Sequence, residues 1–370
     1  MIFSCTTASL NKAAQAAMSA VPSKPSTPIF SGMHIIATKD KLELQGMDIN
    51  LAISCTIKAE VEEEGEIVIA AARFTEMVKN MNGETVKITK SSSDGNVRMQ
   101  SGNTDYKILL MNAEEYPKFP EFNPAKTFTL PDEKIRELIK KTAFACGNES
   151  ERPLYTGIWC DIKDKKITFV GTNSHRLAIK SMPLEGMDDL KIIIPSYVIK
   201  EINKSLNSKL PQEVKISLLN NQIMVVIDNL VMVSRLIDAK FPDYKMVIPS
   251  SFSVTTTVKT KELAGAVSRM SLCSSDENDY SIVKLSIDQN EIKVMSSSPD
   301  VGTGEEVVPC STTGEKLNIA FNAVYLLDIM NNLEAEEATI NFNSPLSPVC
   351  VKSSKDPDYV YIVTPVRVLF

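Results

Sequence analysis

The sequence has little of what metal centres, disulfide frameworks and membrane segments require. Its 370 residues include only 2 histidines and 1 tryptophan. The 7 cysteines are odd in number and scattered without any CxxC spacing, so we expect reduced thiols in the core rather than disulfides or a zinc site. No apolar run approaches the roughly 18 residues of a membrane span, and the start lacks the features of a secretion signal. We therefore expect a cytoplasmic protein that does not bind membranes.

Several motifs of catalytic and nucleotide-binding sites are also missing. The sequence contains no GxxxxGK[ST] loop, no GxGxxG turn and no HExxH helix. The net charge of -6, from 40 basic and 46 acidic residues, argues against nucleic-acid binding over the whole surface but allows one basic face. With 43% apolar and 23% charged residues the composition is that of a globular protein, long enough for two or three domains.

A repeat of 125 residues runs through the chain. Three segments align without gaps: IVIAAARFTEMVKNM from Ile67, IIIPSYVIKEINKSL from Ile192 and LNIAFNAVYLLDIMNN from Leu317. The offsets are equal (192 - 67 = 125 and 317 - 192 = 125), and each segment predicts a buried strand followed by an amphipathic helix. This register makes two sets of apolar positions equivalent: Phe74, Ile199 and Val324, and Met77, Ile202 and Leu327.

A second helix is predicted in each repeat. The segments starting at Leu10, Ile135 and Leu263 place apolar or small residues at i, i+3, i+4 and i+7. The remaining sequence alternates as strands do, and KLELQGMD matches KITFVGTN at the same offset. Proline-rich and Ser/Thr-rich stretches mark boundaries. The sequence therefore predicts an α+β fold of three domains, 1–125, 126–252 and 253–370, each with two helices on a strand-rich sheet.

Basic side chains are concentrated on the predicted helices, whereas acidic ones crowd strands and turns. Two interpretations stay open: these cations solvate ordinary helix faces, or they face a nucleic acid. The helical cations that we single out are Lys12, Arg73, Lys79, Lys140, Lys141, Lys200, Lys204 and Arg269.

Domain size limits how such helices could surround DNA. A domain of this length approximates a sphere of roughly 17 Å radius, so six in a touching ring enclose a hole of about 35 Å and three enclose about 5 Å. B-DNA is roughly 20 Å across. One chain therefore cannot encircle a duplex, but two chains can.

Four stretches carry a resemblance to a known family: GTNSHRLA (171–178), SRLIDAKFPDYKMVIP (234–249), FNAVYLLDIM (321–330) and YIVTPVRV (361–368). With these and the three repeats, the chain resembles the bacterial sliding clamp, the β subunit of DNA polymerase III, over its whole length. The resemblance implies a non-catalytic processivity factor for DNA polymerase. It implies a head-to-tail homodimeric ring of six domains, lined by helices, that slides on double-stranded DNA without sequence specificity. It implies no cofactor and no metal.

The resemblance also implies a groove for partner peptides between domains 2 and 3. The implied partners are the DNA polymerase III catalytic subunit, the clamp loader and other clamp-binding repair and replication proteins. An apolar slot with a polar rim would take an aliphatic and an aromatic anchor. The matching residues are Tyr155, Thr172, Ser174, His175, Arg176, Leu177, Pro242, Met246, Val247, Asn322, Tyr325, Leu346, Val363, Thr364, Pro365, Val366 and Arg367.

Some positions depart from the family pattern. Met246 stands where the family often has arginine, and Thr364 and Val366 stand where it often has methionine, so peptide preference is open. Leu369 and Phe370 extend past the usual end of the family, whose partner peptides carry a Leu-x-Leu-Phe-like ending. This tail either occupies a groove or packs on its own sheet.

Further residues are implied to contact DNA or a second chain. Lys24 and Arg152 match loop regions that touch DNA. Tyr106 and Ile108, on an edge strand of domain 1, would meet the partner's helix end at Met270 and Leu272. The alternative for these apolar residues is the core of their own domain.

Two other functions remain as alternatives. One is a hydrolase with His175 as base, although adjacent residues on a strand point to opposite faces, which places Ser174 and His175 poorly for acting on each other. The other is a monomeric peptide-binding scaffold. In a purely structural interpretation, residues 174–179 form a turn entering a strand, with Leu177 and Ile179 in the core.

Overall fold

The computed structural model describes residues 1–90, 95–148, 152–206, 210–274, 281–353 and 355–368. Six α-helices occur in these residues, and each lies in a segment that the sequence predicts to be helical. They are α1 (Thr7–Met18), α2 (Ala71–Lys79), α3 (Asp132–Thr142), α4 (Ser196–Ser205), α5 (Thr260–Ser271) and α6 (Ala323–Asn332).

Strands make up most of the remaining ordered chain, and all of their pairings are antiparallel. They are β1 (Ile2–Thr6), β2 (Gly32–Thr38), β3 (Lys41–Met47), β4 (Leu51–Lys58), β5 (Glu60–Glu63), β6 (Gly65–Ala70), β7 (Thr85–Lys90), β8 (Asn96–Ser101), β9 (Thr104–Met111), β10 (Lys126–Pro131), β11 (Gly157–Lys163), β12 (Lys166–Thr172), β13 (Arg176–Pro183), β14 (Leu190–Pro195), β15 (Glu213–Leu219), β16 (Gln222–Ile227), β17 (Leu230–Arg235), β18 (Val254–Lys259), β19 (Ile282–Ile287), β20 (Glu291–Ser298), β21 (Gly302–Thr313), β22 (Leu317–Asn322), β23 (Glu337–Phe342), β24 (Val349–Ser353) and β25 (Asp356–Val363).

The chain forms two compact units, each built on one sheet. Unit 1 comprises residues 1–135 and 200–236, and unit 2 comprises residues 136–199 and 237–370. The sheet of unit 1 has 13 strands in the order β10-β15-β16-β17-β4-β3-β2-β6-β9-β8-β7-β1-β5. The sheet of unit 2 has 12 strands in the order β14-β11-β12-β13-β25-β24-β23-β18-β21-β20-β19-β22. The middle third of the sequence therefore supplies strands to both sheets.

Helix α1 shows how local sequence builds unit 1. The side chain of Thr6 caps the helix by accepting a hydrogen bond from the amide of Ser9. Its buried face carries Leu10 and three alanines, which have no long side chain to keep the helix away from the strands beneath it. The core around α1 and α2 also contains Phe74, which is fully buried.

The matching glycines of the first two repeats allow helix ends to approach the sheet. A Cβ on Gly46 would lie 2.0 Å from the carbonyl oxygen of Ala17, at the end of α1. A Cβ on Gly171 would lie 2.2 Å from the carbonyl oxygen of Thr142, at the end of α3. Any side chain at these positions would force helix and strand apart. Both repeats therefore need a glycine where a helix end meets the strand, which explains why KLELQGMD and KITFVGTN share a glycine at the same position.

The third repeat is longer than the gapless alignment assumes. Helices α2, α4 and α6 begin at Ala71, Ser196 and Ala323, so the spacing is 196 - 71 = 125 and then 323 - 196 = 127. The predicted equivalence of Val324 with Phe74 is therefore wrong by two residues, because Val324 is 47% exposed and Leu326 is 2% exposed. A shift of two residues preserves the alternation of a strand, which is why the pattern conceals it.

In unit 2, strand β13 joins the middle and final parts of the chain. It pairs with β25 from Arg176 opposite Val363 to Lys180 opposite Tyr359. The GTNSHRLA and YIVTPVRV stretches are thereby brought side by side. A small core of Leu177, Ile179, Phe241 and Ile362 lies beneath this junction.

Candidate functional site

The segment between β12 and β13 folds into a tight, hydrogen-bonded turn. The hydroxyl of Thr172 donates to the carbonyl of Arg176 at 2.7 Å and accepts from the amide of Ser174 at 3.2 Å. The side-chain oxygen of Asn173 accepts from the amides of His175 and Arg176, each at 3.1 Å. Ser174 and His175 are left exposed at the tip of the turn.

A groove of about 230 Å³ opens beside this turn. One side is formed by the turn itself, and the opposite side comes from residues 241–247 and from the end of β25. The groove is lined by Tyr155, Thr172, Ser174, His175, Arg176, Leu177, Phe241, Pro242, Asp243, Tyr244, Val247, Pro348, Ile362 and Thr364. Apolar side chains at its base and polar groups on its rim are the composition expected of a peptide-binding slot.

Aromatic packing stiffens the wall of the groove. The rings of Trp159 and Phe241 stack with centroids 5.1 Å apart and an interplanar angle of 12°. Burial raises the pKa of Tyr244, and the carboxylates of Asp161 and Asp243 raise it further. The Tyr244 hydroxyl, which is protonated at neutral pH at its ordinary pKa of 10, is thereby held more firmly in the neutral form.

The end of the chain is anchored to the turn. The backbone amide of Thr364 donates to the carbonyl of His175 at 2.9 Å, and its hydroxyl donates to the same oxygen, also at 2.9 Å. The amide of Val366 donates to the carbonyl of Ala320 at 2.8 Å. The tail residues Leu369 and Phe370, for which we hypothesised a place in a groove, lie outside the described residues.

Nine of the residues expected in the groove line it, and eight do not. The nine are Tyr155, Thr172, Ser174, His175, Arg176, Leu177, Pro242, Val247 and Thr364. Met246 and Leu346 are exposed outside the lining, at 84% and 60%. Val363 is fully buried in the sheet, and Tyr325, Pro365, Val366 and Arg367 also lie outside the lining.

Asn322 requires a correction, because its side chain serves the helix rather than the groove. It is 4% exposed and accepts a hydrogen bond from the amide of Val324 at 2.9 Å. This is the N-cap of α6. A residue of this type directly before a helix is more readily explained by capping than by ligand binding.

Arg176 ties the turn to α6 and to the end of α3. Its guanidinium forms an ion pair with Asp328, donates to the carbonyl of Phe144, and lies 4.5 Å from the ring centroid of Tyr325. The side chain is only 10% exposed. The anion and the carbonyl are bound by the two terminal nitrogens, and the aromatic ring lies against the guanidinium, whereas the buried Nε of Arg176 has no hydrogen-bond partner among the described residues. Arg176 thus holds the wall of the groove in place.

The basic residues expected to face DNA are exposed, with one exception. Lys12, Lys24, Arg73, Lys79, Lys140, Arg152, Lys200, Lys204 and Arg269 are all exposed. The prediction for Lys141 is corrected, because its side chain is 3% exposed. Lys141 forms an ion pair with Glu334 at 3.0 Å, donates to the carbonyl of Asn332, and lies 5.1 Å from the ring centroid of Tyr359. It is a structural residue of unit 2.

At least four of these exposed cations form ion pairs with carboxylates: Lys79 with Glu76 and Lys204 with Glu201, each at 3.6 Å, and Lys140 and Arg269 as follows. Glu334 pairs with Lys140 as well as with Lys141, and these two hydrogen bonds lower the pKa of the Glu334 carboxyl. Arg269 forms a two-point ion pair with Glu306, with nitrogen–oxygen distances of 2.8 and 2.6 Å. The Lys140–Glu334 and Arg269–Glu306 pairs lie at the surface, so they are weak enough for each cation to exchange its carboxylate for another anion.

In each unit, one strand pairs with the neighbour on one of its sides over only part of its length. Strand β9 pairs with β8 from Thr104 to Leu109 and with β6 only at Leu110 and Met111. Strand β21 pairs with β20 from Gly302 to Pro309 but with β18 only beyond that point. Exposed apolar side chains accompany both edges: Leu109 at 75%, Val307 at 48% and, at the end of α5, Leu272 at 75%.

The described residues contain no cluster of His, Cys, Asp and Glu side chains that could hold a metal ion. None of the seven cysteines, all of which lie within the described residues, forms a disulfide bond. Burial raises the pKa of Cys5 to about 12 and the pKa of Cys55 to about 11, where Lys12 partly offsets the effect. Among the described residues, no helix is both long and apolar enough to cross a membrane.

Comparison with known proteins identifies the family. Models described as the N-terminal, central and C-terminal domains of the DNA polymerase III beta subunit match residues 1–120, 129–243 and 245–367. The chain belongs to the DNA polymerase III beta-subunit family. It is 30% identical over 370 residues to the Beta sliding clamp of Bacillus subtilis (strain 168), covering 97% of each protein.

Solved structures agree with this assignment. A crystal structure of the DNA polymerase sliding clamp from Bacillus subtilis aligns with a TM-score of 0.94 at 28% identity and 100% coverage of both chains. A sliding clamp from Bartonella birtlesii bound to griselimycin aligns with a TM-score of 0.92 at 26% identity, again over 100% of both chains. The predicted three-repeat α+β clamp fold is confirmed.

Family membership also fixes the general function. The chain is a sliding clamp of DNA replication, a processivity subunit without catalytic activity, and its partners are DNA and polymerase-related proteins. These similarities favour the processivity factor over the two alternatives, a hydrolase using His175 and a monomeric scaffold. The domain boundaries near residues 125 and 252 stay predictions.

Five groove residues were missed by sequence reasoning. Phe241, Asp243, Tyr244, Pro348 and Ile362 line the groove, and the sequence also did not single out Asn173, which accepts hydrogen bonds from two amides of the turn. Phe241 and Tyr244 flank the predicted Pro242 in FPDY, so a full reading of that stretch could have found them. Pro348 has no local signal, because only the fold brings it there.

Proposed function

We propose that two copies of the chain close head to tail into a ring around double-stranded DNA. The exposed cations on α1, α2, α3, α4 and α5, including Lys140 but not the buried Lys141, would face the duplex, together with Lys24 and Arg152 from loops. Such phosphate contacts are independent of sequence, so a ring held by topology slides freely. The site of action would be the cytoplasm, where bacterial DNA is replicated.

The open sheet edges support the dimer. Pairing β9 of one copy with β21 of the other would continue the sheet across the interface. The exposed Leu109, Val307 and Leu272 would be covered in the process, together with the predicted interface residues Tyr106, Ile108 and Met270. Burying apolar side chains of this size removes a surface that an isolated chain would leave in water.

The groove beside the turn at 172–176 is the proposed docking site for partner peptides. The observation that carries this proposal is the apolar slot between Leu177, Pro242 and Val247, edged by exposed Ser174 and His175. The proposed partners are the DNA polymerase III catalytic subunit, the clamp loader and other clamp-binding repair and replication proteins. An aliphatic and an aromatic side chain would fill the slot.

Primer extension on a long singly primed template tests the groove. We expect the chain, loaded by its own clamp loader, to lengthen the products of the polymerase catalytic subunit. Val247→Glu puts a charge into the slot, whereas Ile49→Glu places the same charge on a side chain that does not line it; the two residues are 49% and 60% exposed. Long products should be lost with Val247→Glu and kept with Ile49→Glu. Equal product lengths for both variants would refute docking at this groove.

A further inference from the structure

The turn at the groove holds a serine in a backbone conformation that glycine prefers. Ser174 has a φ angle of 74°, in the left-handed region where a side chain costs roughly 1–2 kcal/mol. Its own side chain is exposed and makes no compensating burial. Some neighbouring interaction must therefore hold the turn in this shape.

Asn173 supplies such an interaction, in addition to the two hydrogen bonds of the Thr172 hydroxyl within the turn. Its side chain is 5% exposed, and its oxygen accepts from two successive backbone amides, those of His175 and Arg176. An Asn side chain that bonds the backbone two and three residues ahead fixes a turn in the way a backbone hydrogen bond would. The two bonds span Ser174 and hold it in the left-handed conformation.

The other end of the same amide reaches the final third of the chain. The Asn173 nitrogen donates to the hydroxyl of Tyr325 on α6 at 3.2 Å. The carbonyl of Tyr325 accepts in turn from the hydroxyl of Tyr361 on β25 at 3.0 Å. Because α6 and β25 are fixed elements of unit 2, the turn is held against them and not only by its own bonds.

We propose that Asn173 is a positioning residue of the groove, which sets the turn at residues 172–176 so that Ser174, His175 and Leu177 face a bound peptide. Asn173 does not touch the ligand, since it is absent from the groove lining. It acts through the two amides on one side and Tyr325 on the other. The inference rests on the proposed peptide-binding function of the groove.

Binding of a fluorescein-labelled synthetic peptide ending in Leu-Ser-Leu-Phe, followed by fluorescence anisotropy, tests the proposal. Asn173→Ala removes both acceptor bonds and the link to Tyr325, and we expect affinity to fall about tenfold, or about 1.4 kcal/mol. Asn173→Asp keeps an acceptor for the two amides and can accept from the Tyr325 hydroxyl, so affinity should stay within about threefold of wild type. Tyr325→Phe removes only the hydroxyl and should lower affinity about threefold.

A second-site change separates positioning from general damage to the fold. Glycine adopts the left-handed conformation at no steric cost, so Ser174→Gly with Asn173→Ala should recover part of the lost affinity, measured against Ser174→Gly alone, which accounts for the missing serine side chain in the groove. Because glycine at this position also stabilises the fold, the thermal midpoints of the variants are compared, and affinity that follows the midpoints alone would overturn the positioning role. The native mass of each variant is measured alongside to show that it folds.

The outcomes distinguish a failure of the proposed groove function from a failure of the positioning role of Asn173. If wild-type protein does not bind the peptide, the proposed groove function fails and the inference falls with it. If wild type binds and Asn173→Ala binds equally well, the groove stands and the positioning role is refuted. If Asn173→Ala does not fold, Tyr325→Phe decides, and wild-type affinity in that variant overturns the proposal.

Discussion

The guanidinium of Arg176 lies 4.5 Å from the ring centroid of Tyr325, with the ion-pair partner Asp328 one turn further along the same helix. Arg176 begins strand β13, and Tyr325 and Asp328 belong to α6. The side chain of Arg176 therefore connects strand β13, which follows the turn, to helix α6. The wall of the groove depends on this contact between distant parts of the sequence.

Replacing Arg176 should destabilise unit 2 even with lysine. Lysine keeps the charge but loses the planar stacking on Tyr325 and one of the two directed contacts, so Arg176→Lys should lower stability by about 1–2 kcal/mol. In a unit of this size that corresponds to roughly 2–8 °C in the thermal midpoint measured by circular dichroism. Arg73→Lys, at an exposed helical arginine, is the control and should change the midpoint by less than about 2 °C. Equal midpoints for the two variants would contradict the structural role of Arg176.

Adjacent lysines of α3 should behave differently. Lys141 is 3% exposed and Lys140 is 50% exposed, although both pair with Glu334. Lys141→Ala leaves the carbonyl of Asn332 and part of the Glu334 charge without a partner and should cost about 2 kcal/mol of unfolding free energy in urea titrations. Lys140→Ala should cost less than about 1 kcal/mol. A larger loss for Lys140→Ala than for Lys141→Ala would overturn the assignment.

The contacts of Lys140 and Lys141 with Glu334 also predict how the free energy of unfolding depends on pH. The hydrogen bonds from Lys140 and Lys141 lower the folded-state pKa of Glu334 from its ordinary value of 4.5. A carboxyl whose folded pKa is depressed stabilises the fold above its unfolded pKa and loses that contribution as the pH falls through the folded pKa. The stability difference between wild type and Glu334→Gln should therefore be constant above about pH 5 and shrink below about pH 4. Because Glu334 is half exposed, solvent screening keeps this difference under about 1 kcal/mol. Urea unfolding at a series of pH values measures it, and a difference that grows on acidification would contradict stabilisation by the two lysines.

If the proposed dimer is correct, a charged side chain introduced at its interface should convert the protein to a monomer. Leu272, 75% exposed at the end of α5, lies where the partner's β9 is expected, and Leu272→Glu would bury a carboxylate at the interface. Mass measured by light scattering at micromolar concentration should change from two chains to one. Ile49→Glu, which adds the same charge at a 60% exposed position, should remain a dimer. A dimeric Leu272→Glu would require the interface to lie elsewhere.

Periodicity alone was enough to find the helices but not their third-repeat register. Leu10, Ile135 and Leu263 are all fully buried, as the i, i+3, i+4 pattern indicated. Val324 was assigned in place of Leu326 because a two-residue shift leaves strand alternation unchanged. Lys141 carries the same local signal as Lys140, and its tertiary contacts with Tyr359 and the carbonyl of Asn332 distinguish them. The groove could be located from its motifs, whereas Pro348 and the bond from Asn173 to Tyr325 depend on tertiary contacts that no local pattern records.

Retention on DNA of different topology measures ring closure most directly. After loading by its clamp loader onto nicked circular plasmid and removal of free protein by gel filtration in high salt, the chain should stay with the DNA, because a closed ring has no end to leave by. Cutting the plasmid once should release it within minutes. Equal retention on circular and linear DNA, or loss from both in proportion to salt, would show binding through phosphate contacts alone and contradict encirclement.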